Sequence, residues 1–239
     1  MHFLKGVERS VKKLVPQGWK KHFRASKYEL LMERRAPIDL IVHVGAHWGE
    51  DAAFYERCGA KTILWVEADP ATYEQLNEAL ADRPQSTRHV TENALVSATD
   101  GEELAFNRFN GDGSSSSVYA STDTYRERFP HSRETGEVIQ LTSRSLPEIL
   151  ARHQIEVTTF KRPMLVVDVQ GHELSVLKGL GEGLKQFAQC KCEVSRIPMY
   201  EGGAQFTDID AHMTSMGFRL ASHRYVQVPR HGDVLYIQD

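Results

Sequence analysis

One rhythm constrains this chain more than any other feature: short, nearly continuous apolar runs alternate with segments of helical spacing. Ile38 to Val44, Thr62 to Val66 and part of Thr87 to Val96 are the first runs; Met164 to Val169 and Cys190 to Ser195 are the later ones. A strand that is apolar at every position is buried on both faces, which happens when helices cover both sides of a parallel sheet. Helices are expected over Glu50 to Cys58, ended by Gly59, then over Pro70 to Leu80, His172 to Leu180 and Phe206 to Met216, stopped by Gly217. Such alternation predicts an α/β, doubly wound, Rossmann-like sheet.

Residues 97–162 break the rhythm and are expected to form an insertion on the substrate side. Leu104 to Phe109 and Val138 to Leu141 read as strands of a side sheet. Between them, Gly111-Asp112-Gly113-Ser114-Ser115-Ser116-Ser117 is too polar and too glycine-rich for an element interior. Phe218 to Val228 and Val234 to Gln238 are expected to close the chain as two strands around a turn at Gly232. The main domain is thus expected over residues 37–239, preceded by a helical extension over residues 1–36.

That extension holds ten basic against three acidic side chains, or +7, so the rest of the chain carries −10 of the net −3. A basic amphipathic segment suits an anionic membrane surface, although a solvated helix packed on the domain or on a partner subunit explains it as well. No run of about 18 apolar residues is present to span a bilayer. Cys58, Cys190 and Cys192 form no C-x-x-C pair, and their odd number suits a reducing compartment. The expected location is cytoplasmic, with the extension as a peripheral contact at the inner membrane face. An acidic core lacking a basic stripe argues against nucleic acid as partner.

The first apolar run ends in Val44-Gly45-Ala46-His47-Trp48-Gly49-Glu50-Asp51. Its glycines are expected to let the backbone approach a ligand at the carboxyl edge of the sheet. The second run ends in Glu67, 22 residues beyond Gly45, a spacing that suits acceptance of hydrogen bonds from two ribose hydroxyls. G-x-x-x-G lacks the central glycine of the dinucleotide motif, so a nucleoside cofactor without pyrophosphate is expected.

Together with Val66-Glu67-Ala68-Asp69-Pro70, Asn93-Ala94-Leu95-Val96-Ser97, the serine run, Val167-Asp168-Val169-Gln170-Gly171-His172-Glu173 with Leu177-Lys178-Gly179, and Glu193-Val194-Ser195 with Tyr200-Glu201-Gly202, this loop resembles the FkbM-type methyltransferases over residues 38–239. The resemblance implies a seven-stranded class I sheet with its last strand antiparallel, and S-adenosyl-L-methionine as cofactor. It implies cofactor contacts from Gly45, Ala46, His47, Gly49, Glu67, Ala68, Asn93, Ala94 and Asp168. Methylation of a hydroxyl oxygen on a sugar, glycan or natural product is the implied activity. Ser115, Ser116, Ser117, His172 and Tyr200 are the implied substrate contacts. The chain departs from the family pattern at His43, His47 and Gln170, where Asp, Asn and Glu are commoner, and at Ser143-Arg144-Ser145-Leu146, which lacks the usual aspartate.

An alcohol acceptor needs a base within hydrogen-bond reach. Asp168, at the end of the fourth run, is expected to be the catalytic carboxylate, assisted by Glu193 or Glu173. An acid at a helix start is also stabilised by the helix dipole alone, which is the plainer reading of Glu173. For His172 the plainer reading is an exposed helix-start residue. A carboxylate cluster also suits Mg²⁺, but the metal-free case is preferred. Two alternatives stand beside the methyltransferase: an NAD-dependent oxidoreductase, and a non-catalytic membrane-surface scaffold with the same fold. The expected partner is a small-molecule or glycan acceptor, and a homo-oligomer is compatible with everything above.

Overall fold

The computed structural model describes residues 27–221 and 230–238. Most of the basic extension, with its proposed membrane contact, lies outside these residues, as does the greater part of the strand expected over Phe218 to Val228. The chain divides into two units, residues 1–35 and 36–239. In the first, the described part is a helix, α1 (Lys27–Arg34).

The second unit is built on a seven-stranded sheet. Its strands are β1 (Leu40–Val44), β2 (Thr62–Glu67), β3 (Arg88–Asn93), β7 (Pro163–Val167), β8 (Gln189–Ser195), β9 (Arg219–Leu220) and β10 (His231–Ile237). They lie in the order β3-β2-β1-β7-β8-β10-β9. β1, β2, β3, β7 and β8 pair in parallel, and β10 runs antiparallel to both β8 and β9. This is the class I methyltransferase sheet that the motifs implied. The strand order reverses between β1 and β7, and a ligand crevice belongs at that point, beyond the carboxyl ends.

Helices α2 (Ala52–Arg57) and α3 (Pro70–Leu80) link the first three strands; α6 (Glu173–Leu180) links β7 to β8, and α7 (Phe206–Ser215) follows β8. α3 begins where the sequence predicts. Asp69 caps it, its carboxylate accepting from the Ala71 amide at 2.8 Å, with Pro70 as its first residue. β1 and β7 are buried at every position, in keeping with their unbroken apolar runs.

On one face of the sheet Val42, Val44, Leu165, Val167, Cys190 and Cys192 pack in one core with Val176 and Leu177 of α6 and Ile209 and Met213 of α7. Each fully buried aliphatic side chain there stabilises the fold by about 1.5–3 kcal/mol. Cys190 and Cys192 share that face, so Lys191 and Glu193 point to the other, by strand alternation. On that other face His43, Tyr55 and Trp65 form an aromatic cluster, with Tyr55 stacked on Trp65 at 5.4 Å between centroids.

Three expectations need correction. The run Thr87 to Val96 holds two strands. After β3, Asn93 and Ala94 turn the chain, and β4 (Leu95–Val96) joins a second sheet, of order β4-β6-β5, with β5 (Glu103–Phe109) and β6 (Glu134–Arg144). β6 extends well beyond the apolar Val138 to Leu141 because most of its length is exposed, and an exposed hairpin arm needs no apolar alternation. Gly232 is not in a turn: it lies within β10, opposite Val194. The rest of the insertion holds α4 (Asp123–Arg128) and α5 (Leu146–Arg152); α5 packs Leu146, Ile149 and Leu150 into the main core.

Candidate active site

The loop after β1 is held by its neighbours on both sides. The amides of Gly45 and Ala46 donate to the Val66 carbonyl at 2.9 and 3.0 Å, and the Asp168 amide donates to the Val44 carbonyl at 3.0 Å. Gly45 has φ +80°, and a Cβ there would lie 1.8 Å from the Asp168 carbonyl oxygen. A Cβ on Gly49, at φ +78°, would lie 2.8 Å from Leu76 Cδ1. The glycine pair is therefore required by the chain's own packing: it lets the loop approach the end of β7 and α3.

Glu67 ends β2 with its carboxylate buried. Oε2 accepts from the His47 amide at 2.8 Å and Oε1 from the Asp69 amide at 2.9 Å. Burial pushes its pKa up, and these hydrogen bonds oppose that rise. Each oxygen keeps a further lone pair for a ligand hydroxyl. Asn93 does not face the cleft: its amide donates to the carbonyls of Glu67 and Ala68 at 2.8 and 3.1 Å and braces the loop. Gly49 is likewise absent from the lining, whereas Gly45, Ala46, His47, Glu67, Ala68, Ala94 and Asp168 all contribute to it.

The cleft these residues line measures about 850 Å³ counted to its open mouth, a volume usual for small-molecule sites. Its donor set fits S-adenosylmethionine. Glu67 offers its carboxylate to a ribose diol, and Ala94, Leu95, Val96 and Phe106 supply apolar lining for a base. Glu50, Asp51 and Asp168 add acidic lining, which favours a cationic ammonium and sulfonium. Among the described residues no lysine or arginine lines it, so a pyrophosphate would meet carboxylates without a compensating side chain of either kind from them. His47 sits at φ 50° beside the mouth. Burial works against its charge. Hydrogen bonds to Glu50 and to the Asp112 carbonyl outweigh that and lift its pKa to about 9. It thereby ties the cofactor loop to the serine-rich loop.

Glu67→Gln is expected to weaken adenosylhomocysteine binding by about 1.5–3 kcal/mol, the worth of hydrogen bonds to a charged acceptor. Titration calorimetry reads this, and an unaltered dissociation constant would remove Glu67 from the ribose contact.

The serine run divides its duties. Ser114 and Ser116 line the cofactor cleft, while Ser114 and Ser115 line a second cavity. Ser117 lines neither. It is buried, its hydroxyl donating to the Gln170 carbonyl at 2.7 Å and accepting from the Tyr119 amide at 3.0 Å. Arg108 joins Asp69 through two 2.7 Å hydrogen bonds and so ties the side sheet to the cap of α3.

The second cavity, of about 1230 Å³ counted in the same way, is walled by Tyr125, Phe129, Ser115, Glu193 and His231. Asp168 and Gln170 line both cavities. Gln170 Nε2 donates to Asp168 Oδ1 at 2.6 Å and to Glu193 Oε2 at 3.0 Å. Burial first, then repulsion from Asp233, raises the Asp168 pKa to about 6, against the pull of Lys191. Glu193 is pushed well above the usual carboxylate range by burial and by Asp168. The pair therefore resists full ionisation near neutrality.

Two sequence expectations change here. Glu173 lines neither cavity. Its carboxylate is buried and accepts from the amides of Val169 and Gly171 at 3.0–3.1 Å, which shapes the loop carrying Gln170. Burial lifts its pKa to about 7, against those amide bonds. His172 is not exposed: its ring lies between the Tyr119 hydroxyl at 3.2 Å and the Ser97 hydroxyl at 3.1 Å, and it lines the cofactor cleft. Tyr200 is also buried, and it reaches the site through Gln170, its hydroxyl donating to Gln170 Oε1 at 2.8 Å.

Sequence reasoning missed Gln170 as a site residue, along with Lys191, Asp233 and His231. Lys191 Nζ lies 3.1 Å from Asp233 Oδ2, and His231 Nε2 lies 3.6 Å from Glu193 Oε1. Two left a signal: Gln170 as a departure from the family pattern, and Lys191 as a charge between two buried cysteines. Among the described residues, no group of three or more His, Cys, Asp or Glu is disposed to hold a metal ion. None of the described helices is long and apolar enough to cross a membrane.

No curated protein is detectably similar to this chain. Solved structures similar to it include the ribosomal protein L11 methylase of Lactobacillus delbrueckii subsp. bulgaricus, at 11% identity and TM-score 0.45, covering 88% of this chain and 76% of that one. A TehB-like SAM-dependent methyltransferase of Corynebacterium glutamicum ATCC 13032 Kitasato matches at 11% identity and TM-score 0.44, covering 93% and 95%. The magnesium protoporphyrin IX methyltransferase of Synechocystis PCC 6803 with bound SAM matches at 11% identity and TM-score 0.44, covering 88% and 74%. The model of the methyltransferase FkbM domain matches residues 43–220, well over half of the sequence. The oxidoreductase alternative is thereby set aside: the chain belongs to the FkbM methyltransferase family and is an S-adenosylmethionine-dependent methyltransferase.

Proposed function

We propose that the methyl group is transferred to a hydroxyl oxygen of a sugar or another polyhydroxylated small molecule. One observation carries this reading: the half-buried carboxylate of Asp168 lines both the cofactor cleft and the second cavity. Bound S-adenosylmethionine supplies an electrophilic methyl group on a sulfonium. An alcohol oxygen becomes an adequate nucleophile only as its proton leaves, and Asp168 takes that proton at Oδ2. Tyr125 and Phe129 offer apolar faces for a sugar ring, while Ser115 and Asn110 offer polar contacts for its hydroxyls. His172 and Ser116 contribute to the cleft wall.

A base must be ionised to act, and Asp168 titrates near pH 6. The rate is therefore expected to fall about tenfold per pH unit below that value and to level off above it. A pH profile of kcat/KM reads this; a flat profile down to pH 4.5 would exclude Asp168 as the proton acceptor.

The assignment itself is tested with the full chain, methyl-labelled cofactor and a panel of sugars, nucleotide sugars, amines and RNA. Label on a hydroxyl oxygen of a sugar-type acceptor supports the reading. Transfer only to amines or to RNA overturns it.

A further inference from the structure

We propose that Gln170 is the positioning residue of the reacting centre: held by Tyr200, its amide donates one hydrogen to Asp168 and the other to Glu193, and so fixes the Asp168 carboxylate for proton transfer. This rests on Asp168 being the proton acceptor, and it adds which group aims it.

The geometry admits one orientation of the amide. Nε2 faces two carboxylate oxygens, at 2.6 Å from Asp168 Oδ1 and 3.0 Å from Glu193 Oε2, and only an N–H group satisfies both. Oε1 accepts from the Tyr200 hydroxyl at 2.8 Å, and the same hydroxyl lies 3.1 Å from the Ser115 carbonyl. Every polar atom of the Gln170 side chain is thus engaged. Asp168 Oδ2, in contrast, accepts no hydrogen bond from the described residues, so Gln170 anchors one oxygen and leaves the other for the acceptor.

The backbone at Gln170 is unusual as well. Its φ is 54°, in the left-handed region, which costs a side-chain-bearing residue about 1–2 kcal/mol. The Ser117 hydroxyl holds the Gln170 carbonyl at 2.7 Å, and the Glu173 carboxylate holds the next amide, at Gly171. A strained residue pinned at its backbone and at its side chain is the pattern of a site organised for function. It also gives Ser117, Tyr200 and Glu173 a shared task. None of them need touch an acceptor, because all three act on Gln170.

An amide suits this place better than a carboxylate. A glutamate at position 170 would set a third acid against Asp168 and Glu193, which already repel each other. The groups that face the pair are Lys191 and Glu193 of β8, His231 and Asp233 of β10, Asp51 before α2, Glu173 of α6, and Tyr200. Among them only Lys191 carries a fixed positive charge, and it is engaged with Asp233. The Gln170 amide is the neutral donor that stabilises the Asp168 anion directly.

The test needs no acceptor. The carboxyl carbons of the ¹³C-labelled full chain are titrated by NMR in the native protein, in Gln170→Met and in Tyr200→Phe, with the Asp168 signal assigned by its loss in Asp168→Asn. Methionine keeps the side-chain length and removes both donors; phenylalanine removes only the hydroxyl that orients the amide. The Asp168 midpoint is expected to rise by about one pH unit in Gln170→Met and by a smaller step in Tyr200→Phe. Adenosylhomocysteine affinity is expected to stay within about threefold of native in Tyr200→Phe, because Tyr200 lines neither cavity. An unmoved midpoint in folded Gln170→Met overturns the positioning role and leaves Asp168 as the base. If Gln170→Met does not fold, an unmoved midpoint in Tyr200→Phe overturns it. Full methyl transfer by Asp168→Asn would instead sink the proton-acceptor reading itself.

Discussion

Asp168→Asn is expected to lower the turnover number by about 10²- to 10⁴-fold, the range a positioned general base contributes. Asparagine is nearly isosteric and still offers an oxygen to Gln170 Nε2, so the loop after β7 should keep its shape. It lacks a lone pair basic enough to take the hydroxyl proton. The loss should therefore fall on kcat, with the KM for the acceptor changed by a few-fold at most. Steady-state kinetics with the acceptor found in the labelled screen, beside calorimetry with adenosylhomocysteine, separate the two. Loss of cofactor binding without loss of turnover at saturation would mean that Asp168 serves the cofactor's ammonium group instead. The acid limb of the pH profile should vanish in the same variant, because the group that produces it is gone.

Gly45→Ala should be strongly destabilising, for its Cβ would meet the closest contact of any described glycine's. Its φ of +80° costs an alanine about 1–2 kcal/mol. The added Cβ would also lie 1.8 Å from the Asp168 carbonyl oxygen, inside any permissible contact. Overpacking of this kind usually costs a further 1–3 kcal/mol or more. Here the neighbour is backbone at the sheet's centre, between β1 and β7, where little can move. An overall loss of about 2–5 kcal/mol is expected. That is a large part of a domain's net stability, so the variant should unfold at much lower urea or accumulate insoluble. The same methyl would push the β1 loop away from Asp168 and part the two halves of the site. A variant with native stability and native cofactor affinity would mean that the β1–β7 approach is not as tight as described.

The sequence by itself determined the layers and the place of the crevice. Apolar runs without polar interruption, such as Ile41 to Val44 and Leu165 to Val167, can be buried only as strands covered on both faces, and their order with the helices between them leaves little choice of sheet. Asp69-Pro70 marked the start of α3 because a cap and a fixed φ are local properties. Glu67 and Asp168 were legible for a similar reason: each ends a buried run, so each had to emerge at the same edge of the sheet.

Contacts between segments far apart in the chain were decided only by the tertiary structure. That Gly45 must be a glycine follows from a carbonyl 123 residues further on, just past a strand that local patterning cannot bring beside it. The roles of Ser117, Tyr200 and Glu173 as supports of Gln170 rest on hydrogen bonds that span loops, strand ends and a helix start. His172 looked exposed from its position before a helix, and is buried because Tyr119 and Ser97 arrive from the insertion and from the end of β4. Periodicity reports which face of an element is covered. It carries no record of which partner covers it, and at this site the partner sets the chemistry.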